Sequence, residues 1–150
     1  MINFGENRAS SLVTLEQGDN WMVLDRELGS ITQRGTRPSL MKSLRLTQTF
    51  LEAGDRPNVP DVALLFISGQ PSNVIGCLKY ANEVRSAGVK LITVALTNKV
   101  VDGELHHEAL EASERDFFNF LGTVAGTPEA VHVLNVNDPD CKFFFQKLEI

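Results

Sequence analysis

The side chains best placed to do chemistry in this 150-residue chain follow the apolar run Val62-Ala63-Leu64-Leu65-Phe66-Ile67. They are Ser68-Gly69-Gln70-Pro71-Ser72-Asn73. An apolar run that stops abruptly at Ser-Gly suits a strand buried on both faces, as in a parallel sheet covered by helices. Ligands of such sheets bind just beyond the carboxyl ends of the strands, so residues 68 to 73 stand where function is expected. Ser68 occupies a strand-to-helix turn, as a hydrolase nucleophile would. Ile67-Ser68-Gly69 nevertheless lacks the preceding glycine of Gly-x-Ser-x-Gly, and the sequence places no histidine base beside it. Phosphate binding at a helix start is open to Ser68-Gly69-Gln70 or to the Gly35-Thr36 loop. Neither Gly-x-Gly-x-x-Gly nor the Gly-x-x-x-x-Gly-Lys-Ser/Thr loop occurs.

Other reactive residues carry less. Adjacent helix positions point about 100° apart, so His106-His107-Glu108 cannot hold a metal as residues four apart would, and a solvated surface is expected. His132 alternates within a strand pattern and reads as a packed or edge residue. Cys77 and Cys141 make no disulfide framework, and free buried thiols are expected. Compartment therefore does not follow from cysteine usage.

These residues must be positioned by alternating strands and helices. Arg8 to Leu15 predicts a strand, Gly18-Asp19-Asn20 a turn and Trp21 to Leu24 a short returning strand. Trp21 is then a core anchor or an exposed binding residue, with the core expected. Asp25 is expected to cap a helix over Arg26 to Gln33. A second helix runs from Pro38 or Ser39 to about Ala53, with Leu40, Leu44, Thr47 and Leu51 on one stripe. After the strand at 62 to 67, a helix over roughly Val74 to Ala87 carries Ile75, Leu78, Ala81, Val84 and Arg85 at helical spacing, and Gly88 stops it. Val89 to Leu96 is a further apolar strand, completing a strand–helix–strand unit of crossover length. Residues 97 to 113 form a long connection with a short helix at Leu105 to Ala112, either a contact surface or a decorated loop. A helix over Glu114 to Ala125, a third parallel strand at Ala130 to Val136 and a last helix presenting Phe144, Phe145 and Leu148 complete the chain. The pattern is that of one α/β domain over residues 1 to 150, a doubly wound, mostly parallel sheet with helices on both faces.

The order and spacing of several phrases resemble the von Willebrand factor A domain, and within it the A domains of collagen VI and similar matrix proteins. These phrases are Ala9-Ser10-Ser11-Leu12-Val13-Thr14-Leu15, Gly35-Thr36-Arg37-Pro38, Leu64 to Ser72, Ala81 to Leu91 and Pro128 to Leu134. Metal-binding members carry Asp-x-Ser-x-Ser after the first strand, a threonine from the Gly-Thr loop and an aspartate from a Thr-Asp-Gly loop. Against that pattern, this chain opens where the second strand would stand. The first strand, its helix and the Asp-x-Ser-x-Ser loop are thus expected to be missing. Ile67-Ser68-Gly69 stands where Thr-Asp-Gly would, and only Thr36 keeps its role. Mg²⁺ wants near-octahedral oxygens with at least one carboxylate, which two hydroxyls do not supply. No metal and no cofactor is therefore expected.

What the resemblance implies is a non-enzymatic protein-binding, adhesion or matrix-assembly module whose partner is collagen or another matrix protein. Its binding face would hold Thr36, Arg37, Ser68, Gln70 and Asn98. The alternatives are a nucleotide- or phosphate-binding domain and a structural, self-associating one. The absent strand would leave the 62-to-67 strand unpaired on one side, which points to a homodimer through that edge. A net charge of −5 and a pI near 5.2 argue against nucleic acid. The cluster Arg34, Arg37, Lys42 and Arg45 reads as a solvated helix face. No stretch is long and apolar enough for a membrane span. A charged segment followed by an apolar one is missing at the N-terminus, so no signal peptide is expected. The resemblance implies an extracellular setting, although intracellular members leave the compartment open.

Overall fold

The structure, a computed structural model, describes residues 2–5, 8–11, 20–30, 39–54, 58–97, 100–101, 104–105 and 111–135. They fall into two compact units. One comprises residues 1–63 and 70–90, the other 64–69 and 91–150.

In the first unit, β1 (Ile2–Gly5) and β2 (Arg8–Ser11) form an antiparallel hairpin with Ile2 opposite Ser11 and Gly5 opposite Arg8. The chain therefore folds back after Gly5, ahead of the turn predicted at 18 to 20. A four-residue strand gives too few alternations to stand out in sequence. Residues 12–19 lie outside the described residues. Trp21 to Leu24 is not a returning strand but the start of α1 (Trp21–Gly29). The cap is Asn20 rather than Asp25. Its Oδ1 accepts from the amides of Met22 at 3.1 Å and Val23 at 3.4 Å, satisfying donors that a helix start leaves open. Trp21 is 71% exposed, so the core role expected of it falls.

The long helix α2 (Leu40–Gly54) follows the predicted stripe and packs on β1, β2 and α3. Leu40 and Leu44 are fully buried. Between them the buried Ser43 satisfies its hydroxyl by donating to the Leu40 carbonyl at 2.8 Å. Helix α3 (Val74–Ser86) buries Cys77, Ala81 and Val84. Past the Ala87 cap stands Gly88, whose φ of 92° lies in the left-handed region that favours glycine. The Lys90 amide then donates to the Asp61 carbonyl at 2.8 Å.

The parallel sheet, most of which belongs to the second unit, has the order β3 (Val62–Ile67), β4 (Lys90–Thr97), β7 (Val131–Asn135). Helix α3 carries the chain from the end of β3 to the start of β4, the crossover that parallel neighbours require. β4 and β7 run parallel, with Thr93 opposite Val131 and Thr97 opposite Asn135. Leu91 to Ala95 are all buried, as both faces of an inner parallel strand should be. β3 departs from that expectation. Leu65 and Ile67 are buried, but Leu64 and Phe66 are 36% and 38% exposed. Residues predicted as a short helix begin instead with β6 (Glu104–Leu105), which pairs antiparallel with β5 (Val100–Val101). The rest of that predicted helix up to residue 110 lies outside the described residues. Helix α4 (Ala112–Ala125) starts earlier than predicted, because the Glu114 carboxylate reaches back 2.9 Å to accept from the Glu111 amide. It packs on β7 and buries Phe120, Leu121, Val124 and Ala125. A parallel sheet with helices in sequence alternation is the predicted α/β class. The last predicted helix lies outside the described residues.

Candidate functional site

Six residues join β3 to α3, and their burial alternates. Ser68, Gln70 and Ser72 are exposed, Gly69 is half-buried and Pro71 is buried. The loop is thus plugged by a ring with a fixed φ and displays its hydroxyls and amide outward. Asn73 ends it. Its Oδ1 accepts from the Gly76 amide at 2.8 Å, capping α3, and its backbone carbonyl accepts from Cys77 at 3.0 Å. Its Nδ2 donates to Met41 Sδ of α2 at 3.7 Å. One side chain therefore fixes the helix start and ties it to the neighbouring helix.

Within the first unit, a cavity of about 160 Å³ opens between the starts of α2 and α3, lined by Ser39 to Lys42, Pro71 to Asn73 and Cys77. Neither helix carries an acidic residue in its first turn. The lining holds one charged side chain, Lys42, and no histidine or carboxylate. It can donate and accept hydrogen bonds but holds no group suited to general acid–base work near neutral pH. Cys77 is a free thiol, 1% exposed. Burial raises it above its ordinary value, against a backbone hydrogen bond from Met41 that acts to lower it, so the nucleophilic thiolate is disfavoured.

Of the five residues predicted for the binding face, the structure places Ser68 and Gln70 on this exposed loop. Thr36, Arg37 and Asn98 lie outside the described residues, as do His106, His107, Glu108 and Cys141. His132 is half-buried in β7 opposite Val94. The sequence missed Ile75. Grouped with Leu78, Ala81, Val84 and Arg85 by helical spacing, it is 83% exposed one residue past the start of the helix. A signal was available in the spacing, since Ile75 stands two residues before the buried Cys77, about 200° around the helix from it.

The oxygens available on the loop are those of Ser68 and Ser72 hydroxyls and of neutral amides, and the Asn73 side-chain oxygen is already committed to its cap. Among the described residues no three His, Cys, Asp or Glu side chains gather as metal ligands would. This neutral donor set does not fit Mg²⁺, which calls for a carboxylate.

Solved structures resembling the chain share its fold at low identity. Proximal thread matrix protein 1 from the mussel byssus aligns with TM-score 0.67 and 12% identity over 89% of this chain and 31% of that one. A further structure of that protein has a zinc-occupied MIDAS motif; it aligns at TM-score 0.66 and 16% identity over 97% and 32%. The manganese-loaded TRAP protein of Plasmodium vivax aligns at 0.58 and 19% over 95% and 49%. The SpRpn10 VWA domain aligns at 0.63 and 11% over 98% and 70%. The chain thus spans about a third of the length of the mussel protein. No curated protein sequence matches it. The family model for the von Willebrand factor type A domain matches residues 1–143, and the chain belongs to that family.

Proposed function

We propose that this chain is a non-enzymatic protein-binding module of adhesion or matrix type, which engages its partner through the loop after β3 without a bound metal ion. Domains of this family serve protein–protein interaction and adhesion in general. The observation that carries the reading is the β3–α3 loop itself. Ser68, Gln70 and Ser72 stand exposed on a turn held by buried Pro71 and capping Asn73, and the helix that follows opens with the exposed apolar Ile75. Exposed polar groups together with an exposed aliphatic side chain suit a packed contact rimmed by hydrogen bonds. Thr36, Arg37 and Asn98 extend this face on the strength of the sequence. The family resemblance points to collagen or another extracellular matrix protein as partner.

Two observations weigh against the rival readings. The cavity beside the loop lacks a histidine or carboxylate, which disfavours hydrolytic chemistry. At the start of α3, the Gly76 amide that a phosphate would use is already taken by Asn73.

The test is binding of the pure chain to immobilised fibrillar collagen and to a set of other matrix proteins, with and without EDTA. Ile75→Asp and Gln70→Ala should each weaken capture, the former by about tenfold or more, as loss of a contact anchor does. EDTA should change nothing. Binding that EDTA abolishes, or that ignores both substitutions, would overturn the proposal.

A further inference from the structure

We infer that Met41 is an oxidation-sensitive modification site, at which a peroxide turns the thioether into a sulfoxide and so releases the end of the candidate loop from α2. The inference deepens the loop-face reading and rests on it only for the effect on partner capture. Three observations converge on the Met41 sulfur. Its Sδ accepts from Asn73 Nδ2 at 3.7 Å, a side-chain bond that links α2 to the start of α3. The same two atoms fill the space over Gly76, since a Cβ built there would lie 2.7 Å from each of them. Met41 is also half-buried and lines the cavity that Pro71, Ser72 and Asn73 line, which gives a small polar oxidant such as hydrogen peroxide a way in.

In the reaction a sulfur lone pair attacks one peroxide oxygen, the O–O bond breaks and an S–O bond forms. Sulfur gives up two electrons, and the leaving hydroxide takes the proton of the transferred hydroxyl and departs as water. Oxidation of a thioether needs no deprotonation. Cys77, in the same lining, is 1% exposed, and burial raises its thiol above the ordinary value, so its reactive thiolate is disfavoured. The thioether is therefore the sulfur of this cavity that a peroxide attacks. A thioether is apolar and a weak acceptor, suited to a contact between two packed helices. A sulfoxide is polar and larger, and the Gly76 side of the sulfur has no room for its oxygen. The unbranched side chain then turns out of the contact toward the cavity mouth, where water satisfies the oxygen. Asn73 loses its tie to α2 while its oxygens keep the amides of Gly76 at 2.8 Å and Cys77 at 3.0 Å. Ser72 and Pro71, just before it, lose the same support.

The experiment treats the full chain with hydrogen peroxide and reads each methionine by peptide mass mapping. The product is then melted, and hydrogen exchange is followed at the Gly76 and Cys77 amides. Of the three methionines, Met22 on α1 is 66% exposed and serves as the internal reference. In the folded chain Met22 should oxidise first and Met41 after it. Sulfoxide at Met41 should lower the melting temperature by a few degrees and speed exchange at both amides severalfold. Methionine sulfoxide reductase should restore both. Met41→Leu, a volume-conserving swap without sulfur, should still oxidise at Met22 and show neither change. On a matrix protein that the untreated chain captures, the oxidised chain should bind severalfold less, whereas peroxide should not alter capture by Met41→Leu. A folded chain whose Met41 resists peroxide while Met22 is consumed would sink the inference. So would a Met41 sulfoxide that leaves melt and exchange as they were, an equal loss in Met41→Leu, or capture that Met41 oxidation leaves unchanged. If the untreated chain captures no matrix protein, the loop-face reading fails, and melt and exchange still decide for or against Met41.

Discussion

Asn73, Gly76 and Met41 form the contact on which the candidate loop depends. A Cβ built on Gly76 would lie 2.7 Å from both Asn73 Nδ2 and Met41 Sδ. Met41 can shift, but the amide of Asn73 is held by its own bond to the Gly76 backbone. Replacing a helix glycine with alanine usually stabilises by about 1 kcal/mol. At position 76, forced repacking of about 1–3 kcal/mol should outweigh that gain. Gly76→Ala is thus expected to lower stability in urea unfolding, and Met41→Ala in the same chain should recover part of the loss. A stabilised Gly76→Ala protein would show that the two helices are not pinned here. Little of this was legible beforehand. A cap residue can be read at Asn73, but the approach of α2, 32 residues earlier in the chain, comes from packing between helices. Ile75 was misassigned because residues spaced strictly three apart drift about 60° per step around a helix, which carries Ile75 away from the face of Cys77, Ala81 and Val84.

At the scale of elements, β3, β4, α2 and α3 were legible because long apolar runs and sustained helical stripes leave few alternatives. Trp21-Met22-Val23-Leu24 was not, since aromatic and β-branched residues favour a strand while Asn20 caps a helix. Leu105 falls in a two-residue strand that no periodicity can reveal. The burial of β4 conceals one polar group of consequence. Thr93 is 0% exposed, and among the described residues its hydroxyl has no hydrogen-bond partner. Exchanging the hydroxyl for a methyl of similar shape removes a buried polar atom at no cost in volume. Thr93→Val is therefore expected to raise stability by about 1 kcal/mol in denaturant titration. A loss of similar size would mean that the hydroxyl is satisfied in solution.

For the molecule as a whole, the question is whether a divalent metal ion adds to the stability of this chain. Zinc occupies the MIDAS motif of the mussel protein, and the Plasmodium protein is manganese-loaded, at 16% and 19% identity. Identity that low carries the fold and not the ligands. What decides the matter is the donor set, and the loop after β3 offers neutral hydroxyls and amides where the resemblance sets an aspartate. A divalent ion bound there would have to shed water without a carboxylate to offset the cost. An ion that binds only the folded state stabilises it by about 2.7 kcal/mol at a hundredfold excess over its dissociation constant. For a chain of this size, that corresponds to a rise of about 5 to 10 °C in the melting temperature. Melts of the pure chain in EDTA and then in excess Mg²⁺, Ca²⁺ or Mn²⁺ should coincide. A Mg²⁺-dependent rise of that size would mean that other oxygens, with Asp25 and Asp61 the first to substitute, build a site elsewhere. It would also return the partner contact to metal-bridged chemistry. Coincident melts would leave hydrogen bonding and packing as the means by which this domain holds its partner.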